Sequence, residues 1–316
     1  MDDLMLGAML ASTLRVATPL ILCAMAGVLS ERAGVIDIGL EGKMLAAACA
    51  AGAVGALYGS TPLALLAAAG VAVALSLLHG YACVSHRGDQ VVSGMAINIM
   101  AAGLTSVISV ALFQQGGQTP PLPDSVRLRA GWPDAADRVG ELLGNGLFSH
   151  NAMVYLALLL VVAVWWLLQR TTLGLRWRAV GENPQMVDAA GVSVLGLRYG
   201  ALVLNGVLCG LAGAYLVMAQ NASFSPNMTA GRGYMALAAM IFGKWRPVPA
   251  FAACLLFGFL DALAIRLQGA VWPVIGEVPV QLIQALPYLL TVILLAGFIG
   301  RTVAPKALGQ PYVKER

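Results

Sequence analysis

The amino-acid sequence predicts an all-α fold, a polytopic transmembrane helix bundle of about 8–10 membrane segments that include one broken or re-entrant piece. Three observations predict it. Hydrophobic residues make up 59% of the 316 and charged residues only 11%, against about 45–50% and about 25% in soluble globular domains. Apolar runs of about 18 residues or more recur along nearly the whole length, each long enough to cross a hydrocarbon core of about 30 Å. Glycine, with 36 copies, and other small residues fill many of these runs, as suits helices whose backbones pack closely in lipid. A β-barrel would instead alternate apolar and polar residues along each strand. One transmembrane domain over 1–316 accounts for the whole chain.

In order, the apolar runs place spans at 4–29, 44–58, 62–84, 91–114, 151–169, 198–219, 247–267 and 283–300. The loop at about 170–198 carries Arg170, Arg176, Arg178 and Arg198, and the tail carries Arg301, Lys306, Lys314 and Arg316. Basic residues in short loops face the cytoplasm, so both segments are assigned there and the 115–150 loop to the outside. That loop is long and rich in Gly and Pro, which reads as either a docking surface or a connector. The side of the N-terminus depends on whether 30–43 and 233–243 cross or re-enter, and both possibilities stand. The acidic start Met1-Asp2-Asp3 argues against a cleaved signal.

Several function classes are disfavoured. The five cysteines fall singly in or beside apolar runs and the three histidines are scattered, so no metal site is expected. The net charge of +4 is modest and lies in short loops, which gives no footing for nucleic acid. Phosphate-loop, GxSxG and HExxH patterns are all missing from the sequence, so the chain is not expected to be an enzyme or to hold a cofactor.

Two segments stand apart. Ser30 to Lys43 reads SERAGVIDIGLEGK and places Glu31, Arg32, Asp37, Glu41 and Lys43 between two apolar runs. A charge at the bilayer centre costs about 2.5–3.5 kcal/mol on insertion scales, so these groups must meet protein, water or the interface. If the segment is helical, Asp37 and Glu41 share a face. It reads either as a half-helix at a solute path or as an interfacial loop of mutually paired charges. In the second segment, Gly181-Glu182-Asn183-Pro184-Gln185 offers a capping Asn and a Pro at the first helical position. The predicted helix runs from Pro184 to Ala190 and ends at Gly191. At roughly 10 Å it is too short to span, and it reads as a docking knob or a plain connector. Asn98 and Asn205 are intramembrane polar groups, which more often bond between helices than bind solute.

LSERAGVIDIGLEGKML (29–45), DQVVSGMAIN (89–98), TLGLRWRAVGENPQMVDAAGVSV (172–194) and GVLCGLAGAYL (206–216) resemble stretches of bacterial ABC-importer permeases. The family is the one that includes branched-chain amino acid, ribose and nucleoside permeases, with the nucleoside type closest. The resemblance implies a multi-pass permease of the bacterial cell (inner) membrane that pairs with a second permease as a homo- or heterodimer. It also implies two cytosolic ATPase subunits that bind the ATP, and an external substrate-binding protein. By this resemblance Glu182, Asn183, Pro184, Asp188 and Gly191 belong to the ATPase-coupling helix, although Met186-Val187 is bulkier than the family's pattern. Asp37, Glu41 and Asn98 become candidates for the solute path. Nucleosides are the expected solute. Simple sugars, riboflavin and branched-chain amino acids are alternatives, and an ion-coupled secondary carrier or an intramembrane enzyme are readings from other classes.

Overall fold

The structure is a computed structural model and describes residues 3–129, 146, 148–267, 271–272, 276–277, 285, 289 and 303–314. The expected span at 283–300 and much of the 115–150 loop lie outside the described residues.

Ten helices are described: α1 (Asp3–Arg32), α2 (Leu40–Tyr58), α3 (Thr61–Gly80), α4 (Gln90–Phe113), α5 (Ala152–Arg170), α6 (Thr172–Glu182), α7 (Pro184–Ala189), α8 (Val194–Tyr215), α9 (Arg232–Phe242) and α10 (Pro247–Leu267). Helices α3 and α8 run on through wider turns at Tyr81–Ser85 and Leu216–Asn221. Among the described residues, seven helices are long and apolar enough to span a membrane. The β-structure among them is one antiparallel pairing of Val271–Trp272 with Gly276–Glu277. The fold class is therefore all-α.

Local chemistry sets the helix starts. Asp89, Asn151, Thr171, Asn183 and Ser193 each accept a backbone N–H at the head of the helix that follows, satisfying donors that have no partner within the helix. Helices α1, α2 and α8 form the buried centre, while α3, α4, α5 and α10 turn apolar faces outward. Small residues set how closely these helices approach. A Cβ at Gly213 of α8 would lie 2.3 Å from the Met44 carbonyl oxygen of α2, and one at Gly210 would lie 2.6 Å from the Ala69 Cα of α3. Both contacts need glycine because the two backbones nearly touch.

The segment 30–43 is not a half-helix. Ser30 to Arg32 complete α1, residues 33–39 turn, and Leu40 to Lys43 open α2. The turn closes locally, with the Val35 N–H donating to the Ser30 carbonyl (3.0 Å) and Gly34 at φ +83. The half-length element is α9, whose 11 residues reach only roughly 16 Å.

The contacts group the connecting segments into two ends of the bundle. Ala307 N–H donates to the Gly181 carbonyl at 2.9 Å, and Gly309 N–H to the Gly34 carbonyl at 3.3 Å. The tail, the α6–α7 corner and the C-terminal end of α1 thus share one face. That face carries Arg170, Arg176, Lys306 and Lys314, the basic residues that the positive-inside rule assigns to a cytoplasmic face. At the far end of α8 the Tyr215 hydroxyl donates to the Arg15 carbonyl, and Leu122 N–H donates to the Ala222 carbonyl. The N-terminal half of α1 therefore lies at the end opposite the basic face, alongside the described part of the 115–150 loop.

Replacing Gly213 with Val should force α2 and α8 apart at a cost of about 1–3 kcal/mol or more. The expected outcome is loss of the monodisperse peak in detergent gel filtration, and an unchanged peak would show that the helices are not this close.

Candidate functional site

Two polar sites lie beside the α1–α2 turn and face opposite ways. The first is closed. Asp37 and Lys43 are both fully buried and form an ion pair at 2.5 Å. Lys43 Nζ also donates to Asn205 Oδ1 (3.3 Å), as does the Ser76 hydroxyl (3.2 Å). The Asn205 amide donates to the Ala26 carbonyl and the Ser30 hydroxyl of α1. His79 bridges the Ile36 carbonyl (2.9 Å) and the Ser93 hydroxyl (3.0 Å), while Gln90 Oε1 accepts from Ile36 N–H (2.6 Å). Burial raises the Asp37 carboxyl most strongly, but the charges of Lys43 and His79 and the hydrogen bonds from Lys43 and the Gly39 N–H together hold the group below its ordinary value. This knot joins α1, α2, α3, α4 and α8.

The second site is open. Glu41, in the first turn of α2, accepts Gly231 N–H (2.8 Å) and Gly233 N–H (2.6 Å) and so caps α9 with a full negative charge. Carboxylates are favoured at a helix N-terminus, where backbone N–H groups are unpaired and the dipole is positive. Asn98 of α4 accepts Gly42 N–H (2.8 Å) and donates to the Ile38 carbonyl (3.0 Å) and the Tyr234 hydroxyl (2.9 Å). A cavity of about 340 Å³ opens here, lined by Glu41, Met95, Asn98, Ile99, Thr229 and Tyr234 among others. It is mostly apolar, with a few convergent polar groups, as small-molecule sites are.

Asp37 and Glu41 do not share a face. Asp37 lies in the turn before α2, so the spacing of four that would align them on a helix does not apply, and its side chain goes inward to Lys43. Of the three path candidates, Glu41 and Asn98 meet at the cavity and Asp37 does not. Tyr234 and Thr229 were not singled out in the sequence, since an aromatic and a hydroxyl within an apolar run carry no distinctive signal. Lys43 was visible only as one charge in an unusual segment, and nothing in the sequence pointed to its partner Asn205.

On the basic face, α7 spans Pro184–Ala189, one residue shorter than expected, with Asn183 accepting Met186 N–H at 3.1 Å. The Gly191 N–H closes onto the Asp188 carbonyl at 2.9 Å, and Gly191 sits at φ +78 with nothing near its missing Cβ. Glu182 and Asn183 line an apolar groove of about 420 Å³ with Leu175 and Met186. Met186 stands largely exposed at the tip of the projection.

A helical bundle whose half-length helix aims its N-terminus at an intramembrane cavity, with a capped projection on its positive face, is the build of a membrane transport protein. The chain belongs to the family described as "Branched-chain amino acid transport system / permease component", which matches residues 9–295. It is similar to the guanosine ABC transporter permease protein NupQ of Bacillus subtilis, 39% identical over 313 residues, covering 96% of this chain and 95% of that one. It is also similar to the nucleoside ABC transporter permease protein NupC of Lactococcus lactis, 38% identical with 97% and 96% covered. A Haloferax volcanii protein provisionally named as a glucose ABC transporter permease, TsgC13, is 34% identical with 97% and 98% covered. The chain is thus a multi-pass permease subunit of an ABC importer in the bacterial inner membrane, and a permease where an enzyme was the alternative.

Replacing Lys43 with Met should leave Asp37 buried and unpaired, lowering stability by about 3–5 kcal/mol. A thermal-unfolding midpoint in detergent should fall sharply, and the double change K43M/D37N should recover part of it. Equal midpoints for K43M and the unmodified chain would remove the ion pair from the account.

Proposed function

We propose that this permease forms the translocation path for nucleosides and works with two cytosolic ATPase subunits, a second permease and an external substrate-binding protein. The observation that carries the solute is the full-length similarity, at 39% and 38%, to permeases named for guanosine and for nucleosides. The cavity agrees with it. Its volume of about 340 Å³ suits one small solute, and its side chains supply one carboxylate, two amides, one hydroxyl and one phenol. Such a lining favours a neutral, hydrogen-bonding molecule over an ion. A simple sugar is the second reading, favoured by the 34% match to TsgC13. ATP binds to the partner subunits, and the permease itself needs no cofactor.

Within this reading Glu41 and Asn98 line the path and hold the mouth of α9, while Asp37 acts at one remove by fixing the turn from which α2 departs. The residues Glu182, Asn183, Pro184, Asp188 and Gly191 shape the coupling helix that seats in the ATPase. Asn183 caps it, Pro184 starts it, and Gly191 lets the chain leave it in a conformation that other residues adopt only under strain.

The deciding experiment is to purify the chain from its native membrane, identify its companions by mass spectrometry, and measure ATP-driven guanosine uptake in proteoliposomes. Guanosine uptake that needs the co-purified ATPase supports the proposal. Uptake driven by an ion gradient without ATP, or of glucose in place of guanosine, would overturn it.

Replacing Glu41 with Ala removes the charged cap of α9 and should lower uptake by about tenfold or more while the complex still assembles, a cost in line with losing a charge-assisted hydrogen-bond partner. Replacing Asp188 with Trp should abolish ATPase retention on an affinity column without lowering membrane insertion. Full retention would show that α7 does not seat in the ATPase.

A further inference from the structure

The C-terminal segment 303–314 has no part in the transport scheme so far, yet it is anchored to the bundle at several points. Pro305, Ala307 and Tyr312 are buried. Its backbone reaches separate parts of the cytoplasmic face in sequence. Ala307 N–H donates to the Gly181 carbonyl (2.9 Å) at the end of α6, and Gly309 N–H donates to the Gly34 carbonyl (3.3 Å) in the α1–α2 turn. The Gln310 carbonyl accepts from Arg198 Nη1 (3.1 Å) in the first turns of α8. Lys314 ends the series 3.7 Å from Asp188 on the projection α7. That last pair is solvent-exposed and contributes little. The buried side chains and backbone bonds carry the attachment.

Arg198 is the unusual member. It is fully buried, and its Nε and Nη2 have no hydrogen-bond partner. Leaving guanidinium donors dry is costly, so nothing in local packing explains why this position should be arginine. Its place does. Nη2 would lie 3.2 Å from a Cβ on Gly34, so one side chain touches the α1–α2 turn and the tail at once. Two turns further along the same helix, Asn205 holds Lys43 and the end of α1.

We propose that residues 303–314 form a strap that ties the coupling projection to the α1–α2 turn, with Arg198 as the positioning residue that registers the strap. A displacement of α7 then passes through Gly181 and the strap to Gly34 and Ile36, through the buried knot to α2, and so to Glu41 and the head of α9. Without the strap, the coupling loop connects to the path side only through the peptide bonds and packing of α6 and α8. With the strap in place, two Arg198 donors are buried without partners; its release would return them to water, which lowers the cost of moving the strap. This inference rests on α7 being the ATPase-docking element.

The test uses the complex purified with its ATPase and binding protein, reconstituted in proteoliposomes, with ATP hydrolysed per guanosine taken up as the readout. Two variants displace the strap: a chain ending at Val303, and Gly309→Val, since Gly309 sits at φ +76 and a Cβ there would lie 2.8 Å from Ile36 Cδ1. Both should hydrolyse ATP within about twofold of the unmodified complex while uptake falls about tenfold, a size typical of coupling between sites. Arg198→Lys should raise the ratio of ATP to solute in the full-length chain and leave it unchanged in the truncated one, because its effect runs through the strap. A ratio equal to the unmodified one in Gly309→Val overturns the strap, whether or not the truncated chain inserts. An Arg198→Lys effect of equal size with and without the tail overturns the positioning role. An unmodified complex that takes up no guanosine on ATP defeats the function proposed above, and is told apart from failure of the strap by being seen before any variant is made.

Discussion

The Asp37–Lys43 ion pair is buried at a place where α1 ends, α2 begins, and α3, α4 and α8 pass close by. Neither charge could be held there alone, since an isolated ion in a water-free interior is expensive. Their mutual attraction is reinforced by Asn205, which also reaches back to α1, and by the Gly39 N–H that donates to Asp37. The pair therefore acts less as a source of stability than as a register device. This arrangement of the helices satisfies both charges and the Asn205 amide together, which ties the geometry of the turn between α1 and α2 to the packing around it.

From that fixed turn the functional elements take their positions. Helix α2 leaves with Glu41 in its first turn, and Glu41 collects the N-terminal amides of a helix about 190 residues further on. Gly233 sits so close to α2 that a Cβ would lie 2.6 Å from the Glu41 Cα. The half-length helix is thus pinned end-on to a carboxylate, and its short reach leaves space that becomes the cavity. On the other side of the turn, Gly34 meets the tail and Arg198, within one strand of contacts from the coupling projection. The cavity and the capped helix α7 are consequently attached to opposite faces of the same few residues.

Much of the fold was legible beforehand because membrane insertion imposes a one-dimensional rule. A helix must be apolar over its full crossing and must satisfy its own backbone, so the spans near 62–84, 91–114, 151–169 and 247–267 fall within one to a few residues of α3, α4, α5 and α10. The short helix α7 was legible for a similar reason, since Asn183, Pro184 and Gly191 each have a positional preference set by local backbone chemistry. The site was less so. Asp37 and Glu41 looked equivalent, two carboxylates four residues apart, and the sequence holds nothing to say that a turn would separate them.

By itself, then, the sequence determined what depends on local or one-dimensional physics: an all-α membrane bundle, the clustering of basic residues in its short loops, and a short capped helix in the loop between two spans. The tertiary structure alone decided which charges are neutralised in the core and which face a cavity. Lys43 lies 162 residues from Asn205, and Glu41 lies 190 from Gly231; no periodicity or spacing rule connects groups so far apart in the chain. Their pairing follows from close helix packing at glycine, and from the cost of leaving any polar group unpaired where no water can reach it.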